Sequence, residues 1–202
     1  MKRLILLFTT LGLIGCNQER STDAPVGDDG KAGSIAKVTD LKSDSVVNTS
    51  FTDNSERFLR FEMVVDKPVK ETWKLFSTAE GMKTWAAPVV KMDLRVGGVV
   101  QTNYDSTAKI GDKGTITLPI ANYIPNEMIT FKVELNDVFS KKCREEDQNL
   151  QEVILLEPVG ENQTKIISTM SGWGEGKEWD KTYSFFQEGN KWSYEQLIKK
   201  IK

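Results

Sequence analysis

The chain contains no histidine and only two cysteines, Cys16 and Cys143, among its 202 residues. The absence of histidine excludes catalytic triads and dyads that use imidazole, and it excludes histidine-ligated zinc and non-haem iron sites. The 27 lysines and arginines are balanced by 29 aspartates and glutamates, so the charge pattern does not favour nucleic acid as a partner. No motif in the sequence indicates a metal site, a cofactor site or a defined set of catalytic residues.

The chain also lacks an apolar run long enough to span a bilayer, which needs about 20 residues. Its main apolar run covers residues 4–14, directly after Lys2 and Arg3, and this arrangement is typical of a secretory signal peptide. Residues 13–16, Leu-Ile-Gly-Cys, resemble the lipobox of bacterial lipoproteins. The resemblance implies cleavage before Cys16 and lipidation of that residue, and the alternative is an ordinary signal peptide that ends near Cys16.

Composition divides the chain into three parts. Residues 1–15 are predicted to be the signal peptide, and residues 16–55 the lipidated cysteine and a flexible tether, because they are rich in small polar residues. Residues 56–202 have the usual size of one domain. The lipid anchor makes the membrane a partner and predicts a place in the bacterial cell envelope. Asn17, which follows the cysteine in place of an acidic residue, favours the outer membrane by resemblance to the sorting of Gram-negative lipoproteins.

The first part of the domain is predicted to be a strand followed by two short helices. Apolar residues alternate with polar ones over residues 59–65, which is the pattern of a half-buried strand. Pro68 suits the first turn of a helix, and Thr78 suits the N-cap of a second short helix that ends near Trp85.

The rest of the domain is predicted to be antiparallel strands and a terminal helix. The expected turns lie at Gly97-Gly98, Pro125-Asn126 and residues 159–162. From about Trp179, helical spacing of apolar residues predicts a long amphipathic helix that Gly189-Asn190 interrupts. These elements together predict an α+β fold in which the helix covers one face of the sheet.

Several motifs of this domain resemble the SRPBCC superfamily, and most of all its domain related to the activator of Hsp90 ATPase. They are Trp73, residues 80–88, Val96-Gly97-Gly98, residues 124–127, and the last helix with Gly189 and Trp192. The resemblance implies a helix-grip fold, in which a curved antiparallel sheet wraps around the C-terminal helix and encloses an apolar cavity. Members of the superfamily differ in activity, so the fold alone does not define the function. The export signal makes Hsp90 an implausible partner.

A cavity of this kind is expected to bind a hydrophobic or amphipathic small molecule without catalysis, since ligand pockets are mostly apolar. The candidate ligand-binding residues are Trp73, Trp85, Tyr104, Phe131, Met170, Trp173, Trp179 and Phe186. Trp85 and Trp173 are the preferred candidates, and packing in the core is the alternative role for each residue. Residues 168–176 are interpreted as a strand end and flexible loop, with a gate as the alternative.

Two other functions remain open from the sequence. An enzyme would use Tyr104 or a cavity carboxylate as acid or base, although each candidate carboxylate is expected to be solvated; these are Glu80, Glu152, Glu175 and Asp180. A protein-interaction module would instead present an exposed apolar patch. Cys143, between basic residues, is expected to lie in an exposed loop, because no histidine can serve as its base.

Overall fold

The computed structural model describes residues 46–201. In this part of the chain, eight strands form one antiparallel sheet, with the order β1-β2-β8-β7-β6-β5-β4-β3. The strands are β1 (Val47–Asp53), β2 (Glu56–Val65), β3 (Val89–Met92), β4 (Val99–Asn103), β5 (Ile116–Ile124), β6 (Met128–Lys132), β7 (Gln151–Gly160) and β8 (Gln163–Ser171). The helices are α1 (Val69–Ser77), α2 (Ala79–Trp85), α3 (Lys141–Glu146) and α4 (Lys177–Lys200). The sheet is open and curved, as the helix-grip prediction required.

The inner face of the sheet forms the core together with α4. Leu59, Phe61 and Met63 of β2 are fully buried, as their alternation predicted. Trp179 and Leu197 of α4 are also fully buried. Burial of each such side chain stabilises the folded state by about 1.5–3 kcal/mol. The packing of α4 against the sheet is therefore a major source of stability.

Two local predictions for the helices are confirmed. Thr78 caps α2, since its hydroxyl oxygen accepts a hydrogen bond of 2.9 Å from the backbone N–H of Gly81. Pro68 is the N-cap residue of α1, directly before the first turn, and Trp73 and Phe76 of this helix are buried.

The structure corrects the prediction for Gly189-Asn190. The helix α4 runs without interruption from Lys177 to Lys200. Gly189 does not serve close packing either, because nothing lies within 4 Å of the position that a Cβ would occupy. A single glycine costs a helix only about 0.5–1 kcal/mol relative to alanine, which packing of the rest of α4 outweighs.

The turn at Gly97-Gly98 lies in a longer loop than predicted. The strand β3 ends at Met92, and the chain reverses over residues 93–98. Gly97 has the predicted positive φ, at 77°. Its N–H donates to the carbonyl oxygen of Ile120 at 2.9 Å, so the loop bonds to β5 rather than closing a two-residue hairpin.

The strand β1 lies within the segment that was expected to be a tether. Asn54 and Ser55 both have positive φ and join β1 to β2 through a two-residue turn. The sequence shows little alternation of apolar and polar residues here, because β1 is an edge strand whose residues are mostly exposed. Phe51 of β1 stacks on Phe58 of β2, with ring centroids 4.7 Å apart. The predicted signal peptide, Cys16, Asn17 and the tether up to residue 45 lie outside the described residues.

The expectation of an exposed Cys143 is wrong. Cys143 lies in α3 and is fully buried against α4, where the hydroxyl of Thr182 donates to its sulfur at 3.4 Å. Its neighbours Lys142 and Arg144 are exposed because successive residues of a helix point in different directions. Within residues 46–201, no helix combines the length and apolar character needed to cross a bilayer.

Two glycines provide a matched test of the fold. A methyl group at Gly81 would overlap the carbonyl oxygen of Lys74, whereas one at Gly189 would meet open space. We expect Gly81→Ala to lower the free energy of unfolding by about 1–3 kcal/mol through overpacking. Gly189→Ala should raise it by about 0.5–1 kcal/mol through helix propensity. Urea unfolding measures both, and equal effects would contradict the close approach of α1 and α2.

Candidate functional site

A cavity of about 390 Å³ lies between the inner sheet face, α2 and α4. Residues of the sheet and of α1, α2 and α4 together form its walls. The main lining residues are Phe76, Met82, Trp85, Ala87, Thr102, Tyr104, Ile116, Leu118, Phe131, Val133, Glu134, Asn136, Val138, Phe139, Glu152, Ile154, Phe185, Phe186, Asn190, Ser193 and Tyr194. The lining is thus largely apolar, with few polar groups.

The aromatic wall is held in place by its own contacts. The indole N–H of Trp85 donates to the carbonyl oxygen of Leu75 at 2.9 Å, which fixes the ring at the end of α2. Its face stacks on Tyr194 of α4 with ring centroids 6.0 Å apart, and Phe76 meets its edge at 5.4 Å. Such ring pairs add about 0.5–1.5 kcal/mol beyond area burial.

The floor of the cavity is polar. Glu152 of β7 accepts three hydrogen bonds on its Oε1 atom, from the Ser168 hydroxyl at 2.6 Å, the Tyr194 hydroxyl at 2.7 Å and the Asn190 side-chain amide at 3.5 Å. We call these four residues the polar cluster. The cluster joins β7, β8 and α4, and all its donors are uncharged.

We infer that the second carboxyl oxygen of Glu152, Oε2, faces the cavity. No hydrogen bond from any described residue reaches Oε2, and this atom is not among the occluded polar atoms without a partner. Glu152 lines the cavity, which accounts for both observations. The residue is half-buried because the cavity exposes part of it, while the carboxyl group lies deep within the domain.

Burial controls the protonation of the polar cluster. It raises the pKa of Glu152 above the usual 4.5, although hydrogen bonds from Ser168 and Tyr194 partly oppose the rise. Burial and the neighbouring negative charge of Glu152 raise the pKa of Tyr194 well above 10.0. Burial therefore stabilises the neutral form of the Glu152 carboxyl group relative to that of a solvated carboxyl group.

Four of the eight aromatic and methionine candidates line the cavity: Trp85, Tyr104, Phe131 and Phe186. Of these, Trp85 and Phe131 belong to the buried walls, while Tyr104 is mainly exposed at the mouth. All four border the cavity, and their role in ligand binding stays a prediction.

The other four candidates pack outside the cavity lining. Trp73 stacks on Tyr123 of β5 at 6.3 Å, and Trp173 packs edge-on behind Phe186 at 5.8 Å. The indole N–H of Trp179 donates to the Glu146 side chain at 2.9 Å, which joins α4 to α3. Met170 is buried beneath Asn190, whose amide lies 3.2 Å from its sulfur.

The loop that follows β8 does not border the cavity. Ser168 belongs to the polar cluster, but none of residues 169–176 lines the cavity. Gly172 has a φ of 84° and lies against the backbone of Asn149, while Gly174 lies against the ring of Trp179. These close contacts explain why glycine is needed at both positions.

The expectation of a solvated carboxylate is wrong for Glu152, whereas Glu80, Glu175 and Asp180 are exposed. The alternation along β7 could have predicted that Glu152 points inward, because it shares a face of the strand with the buried residues Ile154 and Leu156. Asn190 and Tyr194 were missed, although Asn190 lies seven residues before the buried Leu197 and Tyr194 four residues before the buried Ile198 on the same helix. Among the described residues, no group of acidic or cysteine side chains could hold a metal ion.

A curved antiparallel sheet that grips a long C-terminal helix around a cavity defines a helix-grip protein of the SRPBCC superfamily. Within this class, the chain belongs to the family of Activator of Hsp90 ATPase homolog 1-like proteins, whose model matches residues 66–201. The match covers most of the domain. No curated protein sequence matches the chain.

Solved structures share this fold at low sequence identity. The Aha1 dimer from Colwellia psychrerythraea is 17% identical, with a TM-score of 0.52 over 71% of this chain and 92% of that chain. CalU16 from Micromonospora echinospora is 16% identical, with a TM-score of 0.55 over 78% of this chain and 85% of that chain. The conserved protein of unknown function EF2215 from Enterococcus faecalis is 12% identical, with a TM-score of 0.52 over 76% and 77%. These likenesses show the fold.

The raised pKa of Glu152 predicts how stability depends on pH. The folded protein holds the Glu152 proton more tightly than the unfolded chain, so this residue lowers stability as pH rises from 4.5 through the folded pKa. Glu152→Gln keeps the shape and an acceptor oxygen but cannot ionise. We expect its free energy of unfolding, relative to wild type, to increase with pH over this range.

Urea unfolding of both proteins from pH 4.5 to about pH 8 measures this difference. Glu134→Gln is the matched control, because Glu134 lines the same cavity but is exposed. Glu62 does not interfere, because it is present in both proteins and its contribution cancels in the difference; burial opposes its ionisation, but Lys165 and Arg60 hold its pKa below 4.5. Parallel pH profiles for wild type and Glu152→Gln would contradict the buried position of the carboxyl group.

Proposed function

We propose that this domain binds a small, largely apolar molecule noncovalently in the cavity between the sheet and α4. The observation that carries the proposal is an apolar, aromatic cavity whose floor presents one free carboxyl oxygen. Its volume of about 390 Å³ lies within the range of about 300–1,000 Å³ that is typical of small-molecule sites.

The arrangement supports both affinity and orientation. Apolar ligand surface buried against Trp85, Phe131 and Phe186 would contribute about 25 cal/mol for each Å². The polar cluster is already ordered by its own hydrogen bonds, so a ligand need not immobilise Glu152 on binding. A polar group on the ligand would therefore be directed toward the floor.

The mouth of the cavity supplies a route for the ligand. Tyr104, Val138 and Phe185 line the cavity and are 56%, 70% and 43% exposed. Their apolar surfaces are continuous with the interior lining, whereas most exposed residues of the domain are polar. An apolar molecule would enter along this side.

We further propose that the domain is attached to the envelope membrane through lipidated Cys16. The sequence of residues 13–16 supports this proposal, together with the cations and apolar run that precede it. An exported location separates the domain from cytoplasmic Hsp90, so the family name does not describe a partner of this chain.

The binding proposal predicts that the protein is purified with a ligand. We expect denaturation of the natively purified Cys16→Ser chain to release a small molecule in about 1:1 ratio, identified by mass spectrometry. Ile116→Trp should abolish this recovery, because the larger ring would fill the cavity that Ile116 lines. Val159→Trp is the control, since Val159 is exposed outside the cavity.

Thermal unfolding would verify that both tryptophan variants are folded. An empty extract from the folded wild-type chain, together with no binding of apolar probes, would contradict the proposal. Equal recovery from wild type and Ile116→Trp would place the molecule elsewhere on the protein.

The anchor proposal predicts a change of location. Cys16→Ser removes the thiol that would be acylated, so we expect the protein to move from the membrane fraction to the soluble fraction and to lose labelling by a fatty-acid probe. Cys143→Ser serves as the control, because Cys143 is buried in the domain. Labelling that persists in Cys16→Ser would contradict lipidation at this position.

A second candidate function is acid–base catalysis by Glu152. The observation that favours it is a buried carboxyl group with a raised pKa that faces the cavity, since such groups serve as general acids and bases near neutral pH. If the cavity is catalytic, Glu152→Gln should be purified with a substrate that differs chemically from the molecule in the wild-type protein. The same molecule in both proteins would favour binding without chemistry.

A further inference from the structure

The charges that line the cavity are of one sign. Glu134 at the side and Glu152 at the floor both contribute carboxyl groups. None of the described residues that line the cavity is a lysine or arginine, and the whole chain lacks histidine. The protein itself therefore supplies no positive charge to either carboxyl group from the cavity wall.

Glu62, on strand β2 of the same sheet, is a carboxylate that the protein pairs with positive charges. Glu62 contacts the lysine ammonium group of Lys165 at 2.7 Å and the guanidinium of Arg60 at 2.6 Å. Glu152 instead receives hydrogen bonds only from neutral donors, and all of them go to Oε1. The free Oε2 is the atom at which a positive charge would be stabilised.

The walls around this oxygen are suited to a cation as well. Aromatic faces attract positive charge through their quadrupoles, and recognition of ammonium groups by aromatic cages relies on this effect. Tyr194 donates to Glu152 and stacks on Trp85, which lines the same cavity, while Phe131 is the direct neighbour of Glu152 on β6. An ammonium group at the floor would thus meet both a carboxylate and aromatic rings.

We propose that the ligand of this cavity is a cationic amphiphile, with an amine or quaternary ammonium group at Glu152 Oε2 and an apolar body along the aromatic wall. This inference rests on the proposed binding function and specifies its ligand class. The positive charge of the ligand supplies the counter-ion that the cavity wall lacks, and it stabilises the ionised form of Glu152.

A ligand that accepts a hydrogen bond from a neutral Glu152 would bind with a different pH dependence. A neutral Glu152 would donate its Oε2 proton to a ligand carbonyl, and binding would weaken as pH rises through the folded pKa. A permanent cation binds the ionised form, so its affinity rises with pH and its binding at lower pH releases a proton. The other titratable groups that line the cavity are Glu134, which is exposed, and Tyr104 and Tyr194, whose pKa values lie above 10.0 because burial of their hydroxyl groups opposes ionisation.

The test compares two ligands of nearly equal shape. Benzyltrimethylammonium carries a fixed positive charge, and neopentylbenzene replaces its nitrogen by carbon. Calorimetric titration of the full chain with Cys16→Ser should show binding of the cation at least about tenfold tighter than that of the uncharged isostere at neutral pH. The cation's affinity should increase from pH 4.5 upward, with proton release detected in buffers of different ionisation enthalpy.

Variants assign the effect to one carboxyl group. Glu152→Gln should lower the affinity for the cation by about tenfold or more and leave that for neopentylbenzene unchanged. Glu134→Gln, which removes the exposed carboxylate of the same cavity, should change the affinity for the cation less than about threefold. Unchanged binding of neopentylbenzene shows that the Glu152→Gln cavity is intact.

The outcomes separate this inference from the function on which it rests. Equal affinities for the two ligands, or an affinity for the cation that falls with rising pH, would overturn the inference while the binding function stands. Failure of both ligands to bind the folded protein at millimolar concentration would overturn the two together.

Discussion

The packing of α4 across the inner face of the sheet is the constraint on which the rest of the structure depends. Leu197 is fully buried near the C-terminal end of α4, and nearer its N-terminal end the hydroxyl of Tyr183 donates to the backbone carbonyl of Phe58 at 3.0 Å. Between them, Tyr194 reaches Glu152 on β7 at 2.7 Å. These contacts hold the helix at a distance from β5 and β6, and the cavity is the space that remains.

Hydrogen bonds fix the indole rings of one tryptophan in the cavity wall and of another outside the cavity lining. The indole N–H of Trp85 is satisfied by the Leu75 carbonyl, and that of Trp179 by Glu146. A buried ring that left such a partner would lose a hydrogen bond and expose an unpaired polar group, which costs about 1–3 kcal/mol. Fixed aromatic side chains thus form walls rather than a collapsed core.

Two half-buried glutamates of the sheet, Glu62 and Glu152, differ in whether the protein supplies a positive charge to them. Glu62, bonded to Lys165 and Arg60, is paired within the protein and its ionised form is favoured. Glu152 has no such pair, so its burial opposes ionisation and lowers stability at neutral pH. Residues that lower stability in this way are expected at functional sites, where a local rule is broken in favour of activity.

The sequence by itself determined most of the local elements, the α+β class and the family resemblance, because strand alternation at residues 59–65 and the Thr78 cap depend on nearby residues. Only the tertiary structure decided that β1 joins the sheet, that Cys143 is buried and that Glu152 lies in the cavity. Glu152 meets Tyr194 across 42 residues of chain, and periodicity specifies the face of an element but not what lies opposite it. The site is therefore a product of the long-range packing of α4, which no local pattern encodes.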